Sequence, residues 1–291
     1  MTCRVTIWGA RGSIPTPGPL TARYGGNTSC VTLQSTAADV RSLVILDAGT
    51  GIRPLGRALV EASADPLVAD LLLSHTHWDH IQGLPFFAPF YDERSHIRIW
   101  GARQGKVGLE QILRDQMDPV VFPVPLHQLD ANLTVTHVEP GAFEVGQFAV
   151  RAMRLRHPGT TLAFRLAPRA GGPSVVFIPD NELGPGGNYE VPPGWRDELV
   201  RFTAGAELLI HDAMFTAQEM PSYLGWGHSS HAEAVALAAD AGVGRLVLFH
   251  HRPERTDDAL DDLFTDARRL AAGRAGHLEV VAAFEGLEIT L

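Results

Sequence analysis

The sequence predicts an α/β protein in which two mixed β-sheets pack face to face and helices cover both outer faces. Three observations predict it. Strand-like and helix-like runs alternate in both halves of the chain. The middle is rich in strand-like runs alone. Of the 291 residues, 45% are hydrophobic and 20% charged, which supports a sizeable core.

In chain order, Val5–Trp8, Cys30–Leu33, Leu43–Leu46 and Leu71–Leu73 are short apolar runs bounded by Gly, Ser, Thr or Asp, and each predicts a strand. Between the last two, Ile52, Leu55, Leu59 and Val60 repeat at helical spacing and predict a helix over Ile52–Ala62. Four further strands are predicted at Thr134–Val138, Phe148–Arg154, Thr161–Leu166 and Val175–Ile178. Continuous apolar strands follow at Leu208–Ile210 and Leu246–Phe249, and helices at Ala232–Ala241 and Asp257–Ala272. Ser230 and Glu233 have the spacing of a capping box for the first of these helices. The Gly/Pro-rich segments Pro15–Pro19 and Leu183–Gly194 predict loops, not linkers, because strand-like sequence resumes after each. One domain over residues 1–291 is expected.

Composition narrows the function classes. A formal net charge of −9, with no basic stripe, argues against a large nucleic acid held through its phosphates. A small anionic substrate remains compatible, since bound cations reverse the local field. Cys3 and Cys30 lie in no C-x-x-C pair and are expected as small buried apolar residues. No run reaches the length of a membrane span and the N-terminus lacks a signal-peptide pattern, so the expectation is a cytoplasmic protein that does not cross a membrane.

The chemistry is concentrated in Ser74-His-Thr-His-Trp-Asp-His80, directly after an apolar strand. A rigid element ends there, and a tight loop presents four ligand-type side chains. His75 and His77 can converge on one cation while Asp79 and His80 face a second. Imidazole nitrogen and carboxylate oxygen suit zinc and leave room for a water ligand.

This H-x-H-x-D-H loop resembles the hallmark of the metallo-β-lactamase superfamily. Leu43-Val-Ile-Leu-Asp47-Ala-Gly-Thr-Gly51 is similar to the family's earlier strand that ends in an Asp. The resemblance implies an αββα sandwich with two divalent ions at one edge, zinc first and manganese or iron as alternatives. It also implies the remaining ligands. His157 matches the third histidine. Asp180 matches the bridging carboxylate, with Asp212 as its competitor. His250 matches the final histidine. Asp47, His211, Asp212 and His251 are then expected to support the ligands by hydrogen bonds. His96, His127, His137 and His277 match nothing and are read as ordinary histidines.

Gly225-Trp-Gly-His-Ser-Ser-His-Ala-Glu233 resembles the Gly-His-Ser-Thr stretch of the ribonuclease Z and cyclic phosphodiesterase branch. It implies that His228 acts near the scissile phosphate and gives Ser229 as a substrate contact, with His231 left to the helix. Gly9-Ala-Arg-Gly-Ser-Ile-Pro15 and Tyr24-Gly-Gly-Asn-Thr-Ser-Cys30 are similar to glycine-rich loops of that branch. Arg11, Asn27 and Thr28 are therefore candidates for positioning a phosphate. The implied reaction is hydrolysis of a small or cyclic phosphodiester, such as a cyclic nucleotide. Hydroxide generated between two cations attacks phosphorus, Asp79 and His228 serve catalysis, and the assembly is a monomer or homodimer. Two alternatives stay open: a carboxylic ester or lactone hydrolase on the same fold, and a non-catalytic binding or carrier protein.

Overall fold

The computed structural model describes residues 2–35, 42–63 and 65–291. The strands are Cys3–Gly9 (β1), Cys30–Ser35 (β2), Ser42–Leu46 (β3), Val68–Leu73 (β4), His96–Gly101 (β5), Asn132–His137 (β6), Gly141–Val145 (β7), Phe148–Arg154 (β8), Leu162–Pro168 (β9), Val175–Ile178 (β10), Leu208–Asp212 (β11), Arg245–Phe249 (β12), Glu279–Ala282 (β13) and Glu288–Thr290 (β14). The α-helices are Ile52–Ala62 (α1), Trp78–Ile81 (α2), Leu109–Gln116 (α3), Trp195–Thr203 (α4), His231–Asp240 (α5) and Asp257–Arg274 (α6).

Among the described residues two seven-stranded sheets form, ordered β14-β1-β2-β3-β4-β5-β6 and β13-β12-β11-β10-β9-β8-β7. Each is mixed in the same way. One side is antiparallel, and the other is a parallel run, β3 to β6 in the first sheet and β10 to β13 in the second. Parallel strands start and stop together, so each run presents its carboxyl ends along one edge. In open α/β sheets that edge is where ligands collect.

Three apolar layers hold the sandwich. Val5, Leu33, Leu46 and Leu72 of the first sheet meet Phe148, Phe164, Phe177 and Phe249 of the second, all buried. Ile45, Leu71 and Ile99 face outward onto Ile52 and Leu55 of α1 and Leu109 and Leu113 of α3. Val176, Leu209 and Leu246 face outward onto Leu199 of α4, Val235 of α5 and Leu263 of α6. Strands buried on both faces read as continuous hydrophobic runs, which is why β4, β10, β11 and β12 show no alternation. Cys3 and Cys30 are both buried and free. Among the described residues no helix is long and apolar enough to cross a membrane.

The predicted strands and helices are present, with ends shifted by a few residues. Absent from the sequence expectation are β5, β7, β13, β14 and the helices α2, α3 and α4. In β5 the buried residues Ile97, Ile99 and Gly101 alternate with His96, Arg98 and Trp100, a period-2 pattern carried by few apolar residues. The strands β13 and β14 have 4 and 3 residues, too short for periodicity to register.

Candidate metal centre

Every candidate ligand sits just past the carboxyl end of a strand. His75, His77, Asp79 and His80 follow β4, with Asp79 and His80 inside the single turn of α2. Asp180 follows β10 and His250 follows β12. His157 lies in the turn between β8 and β9. The two sheets thus contribute to one cluster at their shared edge.

The donor atoms fall into two groups around Asp180. Nε2 of His75 and Nε2 of His157 each lie 3.0 Å from Nδ1 of His77. Both Nε2 atoms are 3.6 Å from Asp180 Oδ2. On the other side, Nε2 of His80 and Nε2 of His250 lie 3.2 and 3.0 Å from Asp79 Oδ2. The same two atoms lie 3.2 and 3.3 Å from Asp180 Oδ1. Each group keeps one donor atom per residue within 4.8 Å of the others, a spacing that can hold a metal ion.

Hydrogen bonds fix which ring nitrogen faces inward. His157 Nδ1 meets the carbonyl oxygen of Gly227 at 2.8 Å. A carbonyl only accepts, so Nδ1 carries the proton and Nε2 keeps its lone pair for the cluster. His80 Nδ1 likewise donates to Asp47 Oδ2 at 2.7 Å. Ser74 Oγ donates to Asp47 Oδ2 at 2.9 Å, which leaves Ser74 Oγ to accept from His75 Nδ1 at 3.0 Å. In three rings, then, Nδ1 is engaged by the protein and Nε2 is the nitrogen turned toward the carboxylate oxygens. Consistently, His80 Nε2 and Asp180 Oδ1 are buried without a hydrogen-bond partner. Such a nest of acceptors fits a cation.

The electrostatics agree. Burial pushes His75 well below the usual imidazole range, lowers His77, and brings His157 to about 4, so these rings are neutral and ready to ligate. Burial opposes ionisation of Asp180, but His250, His80 and His75 outweigh it and hold its carboxyl well below the usual range. Burial also opposes charge on His80, yet Asp180, Asp79 and Asp47 push it well above the usual value, so without a cation a proton takes the place at Nε2 that a metal would fill.

Backbone strain converges on the same place. Among the described residues, the non-glycine positions with positive φ are Ser13, Asp47 and His250, at 62°, 59° and 58°. All three touch the cluster: Ser13 N–H donates to Asp79 Oδ2 at 2.7 Å, Asp47 holds His80, and His250 is a candidate ligand. Left-handed conformations at non-glycine residues gather at functional sites, where packing holds them in place. Gly12 is required beside them, since a Cβ there would stand 2.5 Å from His250 Nδ1.

The cluster opens into a cavity of about 460 Å³ lined by Ser13, Trp78, Asp79, His157, Asp180 and His228, among others. His228 Nδ1 pairs with Asp212 Oδ2 at 2.8 Å. Burial works against charge on His228, but Asp212 outweighs it and lifts the ring to about 9 in the protein alone. The Asp212 carboxylate also accepts from the N–H groups of Met214, Asn181 and Ser229, at 2.9, 3.3 and 3.3 Å. With four donors it is saturated, whereas Asp180 Oδ1 has none. The geometry therefore favours Asp180 as the residue shared between the groups. Asp212 instead orients His228.

The expected substrate contacts require correction. Arg11 is fully buried, and its guanidinium donates to the carbonyl oxygens of Gly25, Arg252 and Arg255. Asn27 is tied to Glu285 through its N–H and its side chain. Thr28 Oγ1 accepts from Thr50 N–H and Gln82 Nε2. Ser229 Oγ donates to the Asn181 carbonyl and accepts from Leu183 N–H. Each is committed to the protein, and these residues brace the loops that carry the site. His251 is also structural, donating from Nε2 to the Ala283 carbonyl, while His211 Nδ1 donates to the Asp212 carbonyl. His231 caps no ligand and pairs with Asp266. His96, His127, His137 and His277 are exposed and outside the cluster.

Sequence reasoning missed Ser13, Ser74 and Trp78. Ser13 sits in the same glycine-rich loop as Arg11, but its role comes from a backbone N–H, which side-chain chemistry does not announce. Trp78, 79% exposed at the cavity mouth, was visible inside the motif as an apolar residue on a polar turn.

A family model described as a beta-lactamase superfamily domain matches residues 43–251. Ribonuclease Z of Thermoplasma acidophilum is 25% identical over 303 aligned positions, which cover 91% of each chain. The metallo-beta-lactamase fold protein YhfI from Bacillus subtilis superimposes with a TM-score of 0.70 at 21% identity, over 100% of this chain and 99% of that one. Unliganded yeast PDE1 superimposes with a TM-score of 0.75 at 16% identity, over 100% of this chain and 99% of that one. At these identities the two structures establish a shared fold.

Proposed function

The chain belongs to the beta-lactamase superfamily, and from that premise we propose that it is a dinuclear metal-dependent phosphodiesterase acting on a small or cyclic phosphodiester, such as a cyclic nucleotide. His75, His77 and His157 would hold one divalent ion, Asp79, His80 and His250 the other, with Asp180 between them. The His/Asp donor set suits zinc. When bound, the ions supply Lewis acidity toward the phosphoryl oxygens and make a water acidic enough to act as nucleophile near neutral pH.

The observation that carries the reading is the Asp212–His228 pair on the wall of the cluster's cavity. Asp212 takes Nδ1, which leaves Nε2 of His228 to face a substrate. A proton held there can pass to the departing alkoxide, the group that most needs one in phosphodiester cleavage. Ser13 N–H anchors Asp79, and His228 stacks on His250 with ring centroids 5.0 Å apart, so the proton donor is fixed relative to the ligands.

His228→Ala tests this directly. The variant should retain its metal and fold while losing about a hundredfold to ten-thousandfold in rate on an alkyl ester. A nitrophenyl ester, whose leaving group needs no proton, should lose far less. Equal losses on both substrates would refute the acid role.

A second reading is cleavage of RNA, favoured by the relatives named Ribonuclease Z. The net charge of −9 speaks for the smaller substrate. A panel holding a cyclic nucleotide, bis-nitrophenyl phosphate, a lactone and a structured RNA separates these readings.

A further inference from the structure

Glu182 is a fully buried carboxylate that the chemistry above does not use. Among the described residues it forms no ion pair. Instead three donors meet it. The Tyr189 hydroxyl donates to Oε2 at 2.6 Å. The N–H groups of Gly225 and Gly227 donate to the same oxygen at 2.9 and 3.0 Å, and the Gly225 N–H also reaches Oε1 at 3.1 Å. A buried carboxylate kept on such terms is costly unless its donors are in fixed positions.

What those donors belong to is informative. Gly225 and Gly227 have φ of 86° and 85°, and they form the loop that runs directly into His228. The carbonyl of Gly227 accepts from His157 Nδ1 and so sets that ring's tautomer. A Cβ on Gly227 would stand 2.2 Å from His157 Nδ1, so the loop lies against the ring. Glu182 also reaches the His157 turn from its own backbone, its N–H donating to the Arg156 carbonyl at 2.8 Å. Arg156 in turn donates to the carbonyls of Gly184 and Gly186 and lies over the Tyr189 ring at 5.3 Å. Through its carboxylate and its backbone N–H, Glu182 therefore ties together the segments bearing His157, Asp180 and His228.

We propose that Glu182 is a positioning residue for the phosphodiesterase reaction, clamping the Gly225–Gly227 loop so that His157 presents Nε2 to its metal and His228 faces the leaving group. The inference rests on the function proposed above, but its main readouts do not depend on turnover.

The test is Glu182→Gln in the full chain. Glutamine turns one of the two acceptor oxygens into an NH2 group. With the amide oxygen at the Oε2 position the NH2 confronts the Gly225 N–H, and with the amide flipped it confronts Tyr189 and the Gly227 N–H, so at least one of the loop's bonds is lost or weakened. Zinc affinity, measured by competition with a chelator, should fall by about tenfold to a hundredfold, the usual effect of removing a partner that orients a ligand. The His157 ring signals in long-range 1H–15N spectra should move. On an alkyl phosphodiester, kcat should fall while KM stays nearly constant. Tyr189→Phe removes one donor and keeps both glycine bonds, so it should shift the same readouts in the same direction by less. A folded Glu182→Gln protein with unchanged zinc affinity and unchanged His157 signals would overturn the proposal. Should Glu182→Gln not fold, Tyr189→Phe leaving all three readouts unmoved would overturn it equally. If the wild type cleaves no phosphodiester, the functional reading fails, and the zinc and ring measurements still decide the role of Glu182.

Discussion

Replacing Asp47 by Asn changes one atom and should be felt across the metal centre. Asp47 is fully buried, and its Oδ1 accepts from Ser74 N–H at 2.7 Å. Its Oδ2 accepts from His80 Nδ1 at 2.7 Å and from the hydroxyls of Ser74 and Ser29 at 2.9 and 3.2 Å. Hydroxyls can rotate to meet an NH2 group, but the Ser74 N–H and the His80 Nδ1–H cannot both be satisfied by an asparagine. If the amide oxygen stays on Ser74, the NH2 faces His80 and forces the proton onto Nε2, the nitrogen turned toward Asp79 and Asp180. If the amide flips, the Ser74 N–H at the end of β4 is orphaned. A hydrogen bond to a charged group is worth about 1.5–3 kcal/mol. Metal affinity should therefore drop by roughly tenfold to a hundredfold, or the metal-free fold should lose a comparable stability. Chelator competition measures the first and thermal melting of the metal-free protein the second. If both stay at wild-type values, Asp47 does not set the His80 tautomer and the reasoning is wrong.

Asp180→Ala should abolish activity and release at least one ion. Asp212→Asn should keep both ions and lose rate mainly on substrates with alkoxide leaving groups; elemental analysis beside kinetics would expose a reversed assignment. Gly227→Ala puts a methyl group against His157 Nδ1, so it should weaken metal binding far more than it lowers the melting temperature of the metal-free chain, and an unchanged zinc titration would contradict this. Arg11→Met strips donors from three carbonyls and leaves the buried Asp257, 3.8 Å from the guanidinium, without that partner. It should cost about 3–5 kcal/mol in a denaturant titration with little change in KM, whereas a raised KM at full stability would restore Arg11 to a substrate role.

Much of the site was legible because it depends on side-chain identity at strand ends. Three apolar residues before His75, four before Asp180 and the run before His250 announce rigid strands, and a ligand directly after a rigid strand needs little further positioning. The apolar runs alone do not separate Asp180 from Asp212, since both end apolar strands, and only the family resemblance favours Asp180. The difference lies in how many N–H groups reach each carboxylate. The loops misled for a related reason. Arg11, Asn27 and Thr28 look like phosphate contacts in a glycine-rich segment, yet the tight turns there carry carbonyls that need donors, and these side chains provide them. Ser13 and Glu182 act through backbone N–H groups, and no residue pattern reveals where those point. In the fold, strands buried on both faces stood out as apolar runs, while β13 and β14 owe their pairing to neighbours distant in sequence.

The central claim is that seven side chains hold two ions bridged by Asp180, and metal counting on active protein tests it most directly. Anomalous diffraction from zinc-loaded crystals should show two peaks per chain. One should be bound by His75, His77 and His157 and the other by Asp79, His80 and His250, with one Asp180 oxygen directed at each. A single peak, or none, in protein that still hydrolyses phosphodiesters would contradict the account.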